Sequence, residues 1–541
     1  MQKTWEGASL PRAASPEEAG VSTAELAAFV RDLEESHIAN HSFMILRHGM
    51  VAAEAFVPPF APEIPHALYS FSKSVSATAV GFAIDEGLIH LDTLVKDVFP
   101  EYKQKHSDEN YQQLTVRHLM TMTSGREPNL IADKAKIDWI QDFIDAPVKS
   151  MPGEQFRYTN ENIYMLCAIV SRVSGMSVID YLMPRLFEPL HIERPFWETD
   201  QKGIEAGGWG LYLRTEDMAK FILCYLNKGV YNGKQIIPQW FAEDAVKPLV
   251  DNRNNEVEQN DSSNGYGYCF WHNYHVENCS RADGMFSQFG ILMPDYDAAI
   301  ILTDGHPDEQ YVRDCVWRHF PKAFKNVPEQ PTAEEATAYQ QLLASRSLPP
   351  LPRRQHSPIE PKLNGRRMRF SKTVLLNIFG YPMSMLPLPV TYMTTDKAGN
   401  IDNLAILFDG DTCRMIWSEG DEMNCIPCGM DGTYRRGTMR LGGIDYTTLS
   451  SAAWKNEVQL EMEVRPIETV SSRKLLFTFN LEKGIVTLQP GGTPDIMDLA
   501  ESLAPAMDSL LTNEAVNKLF KAALSHAGEI IEPTLTGRIL K

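Results

Sequence analysis

Long apolar runs are missing from this chain: nothing in its 541 residues approaches the roughly eighteen consecutive apolar residues a membrane-spanning helix requires. The opening Met-Gln-Lys-Thr-Trp-Glu-Gly has no apolar core of signal-peptide length, so a cytoplasmic location is the expectation. Basic residues are outnumbered, 51 to 70, and the net charge of −19 argues against a nucleic-acid or anionic-membrane partner. Cysteines are few and dispersed (Cys167, Cys224, Cys269, Cys279, Cys315, Cys413, Cys425 and Cys428), which fits reduced thiols better than a disulfide framework. Only Cys425-Ile-Pro-Cys428 has ligand-like spacing, and without a second Cys or His pair it reads as two ordinary cysteines rather than a zinc or redox site. There is no Gly-x-Ser-x-Gly elbow, no His-Glu-x-x-His, no phosphate-binding loop and no internal repeat, and the fourteen histidines are scattered.

What the chain does have is a hydroxyl and an amine three residues apart where a helix begins. In residues 69–87, Ser70 and Lys73 share a helical face, so the amine reaches the hydroxyl without help from a distant residue. Val75, Ala79, Phe82 and Ala83 supply a buried stripe, and Gly87 stands at the expected stop. A lysine desolvated by burial can take the proton of a serine, which is a chemistry of acyl transfer. The spacing alone is unspecific: Ser471 and Lys474 repeat it inside a strand-like segment, where residues three apart face opposite ways.

Around this stretch the pattern is mixed. Ser22 and Glu25 form a capping box ahead of Leu26, Phe29, Val30 and Leu33, predicting a helix to about residue 35. Residues 43–56 read as two strands turning at His48-Gly49. Thr115 caps a short helix ended by Gly125, and Tyr158 and Asn160 fall in a loop before an apolar helix over 163–174. A Gly-rich strand from 207 leads to a helix capped by Thr215, residues 251–265 form a solvated loop, and 266–274 and 284–304 are strand-rich. A helix from about 329 to 347 and five prolines in 348–361 mark a linker. Beyond it, alternation through Leu460, Met462 and Val464, and again through Leu475, Phe477 and Phe479, predicts antiparallel β structure. One or two helices between 495 and 526 and a last apolar segment after Pro533 follow.

Ser70-x-x-Lys73, Tyr158-Thr159-Asn160 and Ala282-Asp283-Gly284, in this order, resemble the serine β-lactamase and penicillin-binding protein superfamily. The likeness is closest in style to class C β-lactamases and the esterases and peptidases related to them. It covers roughly residues 10–325 and is reinforced by Gly87-Leu-Ile-His-Leu-Asp, residues 114–125, Pro152-Gly153 and residues 207–221. The resemblance implies an α/β (α+β) fold: a β-lactamase/transpeptidase-like domain over 1–325, with an antiparallel sheet flanked by helices. A helix and Pro-rich linker over 326–361 and a β-rich accessory domain with C-terminal helices over 362–541 complete the expected organisation. By resemblance Ser70 is the acylated nucleophile, Lys73 activates it, Tyr158 acts with the lysine as general base and returns a proton to the leaving group, and Asn160 bonds the carbonyl side of the substrate. The backbone N–H groups of Ser70 and Met285 would form the oxyanion hole. A tyrosine beside an ammonium is expected to have its pKa pulled down.

The third motif departs from the family pattern of Lys or His, Thr or Ser, then Gly. Gly284 is kept for close backbone approach, but Ala282 and Asp283 replace a cation and a hydroxyl, which disfavours a substrate carboxylate. Arg281 is one position off and points away from Ala282. The expectation is therefore a serine hydrolase acting through a Ser70 acyl-enzyme on small neutral or amine-bearing esters or amides, with Asp283 as a candidate contact to the substrate. The alternatives are a D-amino-acid peptidase or amidase, or a β-lactamase or D,D-peptidase. The intact Ser70, Lys73, Tyr158 and Asn160 speak against a non-catalytic binding or sensing protein. No metal or organic cofactor is implied, and the oligomeric state, a homo-oligomer included, is left open.

Overall fold

The structure, a computed structural model, describes residues 7–126, 138–253, 260–370, 385, 401–495 and 532–540. Contacts divide the chain between Arg346 and Ser347 into two units. Helix α1 (Thr23–Glu35) starts where the Ser22 hydroxyl accepts the Glu25 N–H, and Leu26, Phe29, Val30 and Leu33 are wholly buried. Strands β1 (Asn40–Arg47) and β2 (Met50–Phe56) follow. The turn between them puts His48 at φ 52° and Gly49 at φ 74°, the left-handed pair that a tight hairpin demands.

These strands join β3 (Trp271–His272), β4 (Ser280–Gly284), β5 (Gln288–Met293) and β6 (Ala298–Asp304) in one antiparallel sheet of order β2-β1-β6-β5-β4-β3. Every residue of β5 and β6 is buried, which explains their unbroken apolar runs. One face packs Phe289, Ile291, Ile300 and Leu302 against α1 and the later helices. On the other face a Cβ at Gly290 would lie 2.6 Å from Ile222 and 2.8 Å from Phe71. The missing side chain lets helix α5 (Thr215–Leu226) and the segment beside Ser70 settle directly on the sheet.

Between them runs α2 (Ser72–Asp85), buried from Ser72 to Ala83 on all sides rather than along the single predicted stripe. Its small hydroxyls make this burial tolerable by bonding what surrounds them. Ser74 donates to the Cys269 carbonyl at 2.6 Å, Ser76 to the Gly207 carbonyl at 3.0 Å, and Thr78 pairs with the Tyr225 hydroxyl at 2.7 Å. Gly87, at φ 71°, ends the helix as expected. Helix α3 (Val116–Met120) is capped by Thr115 but stops five residues short of Gly125. Helix α4 (Asn160–Ser174) and α5 begin earlier than predicted: Asn160 and Thr215 lie inside them, and the Thr215 hydroxyl bonds Ser42 at 2.7 Å instead of capping. In the predicted solvated loop, Asp261 is fully buried, because its carboxylate gathers the N–H groups of Tyr274, His275, Gln310 and Trp317. Residues 254–259 of that loop lie outside the described residues. Among the described residues no single helix is long and apolar enough to cross a membrane.

Helix α6 (Glu309–His319) and helix α7 (Ala333–Ser345) complete the first unit. The sequence reading assigned α7 to a linker. It instead buries Tyr339 in the core built on α1, and Arg346 bonds Asn40 at 3.2 Å. The proline-rich stretch is likewise no free spacer: the Leu348 carbonyl accepts from Tyr434, and the Leu351 N–H donates to Ser451, both within the second unit.

Among its described residues that second unit holds ten strands: β7 (Arg367–Phe370), β8 (Ile401–Asp409), β9 (Thr412–Glu419), β10 (Glu422–Gly429), β11 (Arg435–Leu441), β12 (Ile444–Asn456), β13 (Gln459–Pro466), β14 (Ser472–Asn480), β15 (Ile485–Thr493) and β16 (Leu535–Ile539). Their order is β10-β9-β8-β7-β16-β15-β14-β13-β12-β11, and a parallel bridge between Gly429 and Ser451 closes the barrel. Its interior is filled by Trp417, Met415, Ile426, Leu460, Met462 and Phe477 among others. The predicted alternations on β13 and β14 face this core, and the segment after Pro533 supplies β16. The helices expected over 495–526 fall, from 496 on, outside the described residues. Cys428 is buried opposite Cys413 while Cys425 is exposed, so Cys425 and Cys428 do not converge.

Candidate active site

Ser70 lies in a 3-10 turn (Tyr69–Phe71) that runs into α2, two residues ahead of the helix proper. Tyr69 is held at φ 48°, a left-handed conformation that a bulky residue rarely adopts and that concentrates at functional sites. The turn leaves Ser70 half-buried while Lys73 is wholly buried. The Lys73 amine lies 2.8 Å from Ser70 Oγ, 2.8 Å from Asn160 Oδ1 and 2.6 Å from the Gly208 carbonyl oxygen. Burial lowers its pKa from 10.5 to about 7, against smaller opposing effects from Cys269, Glu161 and Asp283. Near neutral pH a large share of Lys73 is thus an amine with a lone pair, 2.8 Å from a hydroxyl.

Tyr158 shares a hydrogen bond with Ser70. Its ring lies 5.4 Å from that of Trp271 and edge-on to Tyr266 at 6.3 Å. The expected lowering of its pKa is not what the structure shows. Burial drives the Tyr158 phenol well above 10, with the Ser70 hydrogen bond only partly offsetting it. The amine of Lys73 lies over the ring, 4.8 Å from its centre, and does not sit beside the phenol oxygen. Burial therefore favours a neutral amine on Lys73 and a protonated phenol on Tyr158, the reverse of what proximity alone suggested. Asn160 opens α4, and its side-chain oxygen steadies the Lys73 amine.

The wall opposite is the end of β4. A Cβ on Gly284 would come within 2.1 Å of the Leu68 carbonyl oxygen, so only glycine lets β4 lie against the turn that carries Ser70. Beyond it Met285 is half-buried, and Phe286 and Ser287 complete the hairpin at φ 62° and 67°. Phe286 presses edge-on against Tyr69, ring centres 5.2 Å apart, which ties this hairpin to the turn that carries Ser70.

The sequence profile of the beta-lactamase family matches residues 26–317, more than half of the chain. The chain belongs to the β-lactamase family. Among curated proteins it is 26% identical to 6-aminohexanoate-dimer hydrolase of Paenarthrobacter ureafaciens over 266 residues, 43% of this chain and 64% of that protein. It is 24% identical to Protein flp of Staphylococcus aureus over 187 residues, 32% of this chain and 37% of that protein. The alignments thus span less than two thirds of these relatives. Among solved structures, the octameric penicillin-binding protein homologue from Pyrococcus abyssi superposes with a TM-score of 0.41 at 16% identity, covering 86% of this chain and 97% of that one.

For a β-lactamase-family site the third wall is altered in charge as well as in sequence. Asp283 is buried, 8% exposed, and its carboxylate is engaged by two arginines. Arg281, two residues earlier and so on the same face of β4, lies 2.6 Å away, and Arg313 of α6 lies 3.5 Å away. Arg281 also donates to the Asp261 carbonyl and to Asn273 Oδ1. Glu309, one turn before Arg313, ends the cluster at 3.8 Å from that guanidinium, and burial beside Asp283 pushes its pKa up to about 8. Sequence reasoning missed Arg313, Glu309, Gly208 and Trp271. The Glu309 and Arg313 spacing was visible as an ordinary i, i+4 helix pair, but nothing local tied α6 to β4.

Proposed function

We propose that this protein is a serine hydrolase that cleaves small neutral or amine-bearing esters or amides through an acyl-enzyme on Ser70. The observation that carries this reading is the Lys73 amine, 2.8 Å from Ser70 Oγ and titrating near pH 7. Ser70 Oγ attacks the substrate carbonyl carbon and its proton passes to Lys73. The carbonyl electron pair moves onto oxygen, held by the N–H groups of Ser70 and Met285. Tyr158 gives its proton to the departing oxygen or nitrogen as the C–O or C–N bond breaks, and recovers one from Lys73 through the shared hydrogen bonds. Water then attacks the acyl ester and loses a proton to Lys73, which returns it to Ser70 Oγ as the C–O bond to the acyl group breaks, releasing the carboxylic acid and the Ser70 hydroxyl.

The substrate class follows from the third wall. Arg281 and Arg313 are both engaged by Asp283, which supports a substrate without a carboxylate at that position. The relative named for hydrolysing the 6-aminohexanoate dimer supports extending the range from esters to amides. A fluorophosphonate probe, followed by p-nitrophenyl esters, nitrocefin and amino-acid amides, tests the reading on wild type and Ser70→Ala. Labelling at Ser70 with turnover of neutral and amine-bearing substrates above nitrocefin is expected, and a wild-type chain that takes no label overturns it.

A further inference from the structure

Gly284 and Gln288 are partners across β4 and β5, so Met285, Phe286 and Ser287 form the whole loop between the strands. Phe286 and Ser287 both take the left-handed conformation, φ 62° and 67°, without glycine's freedom to do so. Two adjacent residues of this kind persist only where their surroundings hold them. The Ser287 hydroxyl gives no such hold: it is buried and has no hydrogen-bond partner among the described residues. Gln288 does. Its side chain is wholly buried, and its Nε2 donates to the Phe286 carbonyl at 2.9 Å and the Asp304 carbonyl at 2.7 Å, sharing these protons with the Met285 carbonyl at 3.3 Å. Its Oε1 accepts the Asp304 N–H at 3.4 Å. Three carbonyls around one end of the amide and an N–H at the other assign which end is nitrogen.

The far anchor is firm. Asp304 closes β6, which runs between β1 and β5, and its Oδ1 accepts the N–H groups of Gly305 at 2.7 Å and His306 at 2.8 Å. Gln288 thus straps two loop carbonyls to the middle of the sheet. Peptide planes are rigid, so the two dihedrals of Met285 are set from both sides, by the strand pairing at Gly284 and by Gln288 at the carbonyl of Met285 itself. The Met285 N–H then has a single direction. We propose that Gln288 is the positioning residue of the oxyanion hole, its side-chain amide aiming the Met285 N–H at the oxygen on which negative charge develops. Buried behind the loop, it acts through Met285. This rests on the Ser70 reading and deepens it by naming what preorganises the second donor.

The test uses p-nitrophenyl butyrate and its thiono analogue, in which sulfur replaces the carbonyl oxygen. Sulfur is larger and a weaker acceptor, so a well-aimed hole favours the oxygen ester and a misdirected one discriminates less. Gln288→Met keeps the length of the side chain and removes its amide. It is expected to lower kcat on the oxygen ester about 10- to 100-fold with KM little changed, and to cut the oxygen-over-sulfur preference in kcat/KM about tenfold. The pH midpoint of acylation is expected to stay at the wild-type value, because Lys73 is untouched. Ser287→Gly, added to Gln288→Met, relieves the left-handed strain and is expected to recover several-fold of kcat. Gln288→Asn keeps an amide in the buried site and serves where the apolar variant does not fold; its shorter arm is expected to lower the same preference. A kcat equal to wild type, or a fall in kcat with the preference unchanged, overturns this proposal alone. A wild-type chain that takes no fluorophosphonate label at Ser70 and turns over neither ester overturns the hydrolase reading, and this proposal with it.

Discussion

The Lys73 amine lies over the face of the Tyr158 ring, 4.8 Å from its centre, and both groups reach the same Ser70 hydroxyl. The two are therefore not an ion pair, and their proton affinities are set by burial. Acylation is expected to rise with pH through about 7, as Lys73 loses its proton, and to show no limb from Tyr158 below pH 10. Stopped-flow acylation of wild type and Tyr158→Phe checks this. The variant is expected to be about 10²- to 10⁴-fold slower with the same midpoint.

The same shift has a sign in stability. The folded value of Lys73, about 7, lies below its ordinary 10.5, so unfolding takes up a proton between these limits. The contribution of Lys73 to stability accordingly grows as pH rises from 7 toward 10.5 and is unfavourable below. Urea titrations at pH 7 and 9 are expected to show the stability of wild type relative to Lys73→Met rising from pH 7 to pH 9.

Gly284→Ala is expected to keep the fold and lose activity. Its methyl group would meet the backbone oxygen of Leu68, 2.1 Å away, and that oxygen can move only with the Ser70 turn. A cost of about 1–3 kcal/mol and at least a tenfold fall in kcat, measured with a p-nitrophenyl ester, are the expected outcome.

Arg281→Met strands the Asp283 carboxylate with the more distant Arg313 and is expected to cost about 3–5 kcal/mol. Adding Asp283→Leu is expected to recover part of that loss, so a double-mutant cycle in urea shows a coupling that two separate sites would lack. Neither variant is expected to gain nitrocefin turnover.

Ser76→Ala removes the hydroxyl that holds the Gly207 carbonyl, one residue from the Gly208 carbonyl bonded to Lys73. A loss of about 1–3 kcal/mol and a fall in kcat larger than any change in KM are expected from steady-state kinetics and thermal unfolding.

The pairing of Ser70 with Lys73 was legible because the two are local: three residues on one turn fix their distance whatever the rest of the chain does. Gly87, the His48-Gly49 turn and the strands at 288–304 were legible for the same reason, since each is dictated by its own backbone or period. What escaped is long-range. The charge of Asp283 could not be judged without Arg313, thirty residues on, and the protonation of Tyr158 depends on burial by Trp271 and Tyr266, which no local pattern announces. Helix α7 was misplaced because its apolar face matches α1, more than 290 residues earlier, and not because its own pattern was unclear.

From Ser72 to Ala83 no side of α2 touches solvent, and its hydroxyls are fastened to segments from Gly207 to Cys269. No partial opening frees such a helix, so its amides should be among the slowest in the first unit to exchange with deuterated water. Loss of the Ser70 and Lys73 arrangement on heating should then track the collapse of the whole unit, and a chain still folded around its sheet should still hold the two side chains together.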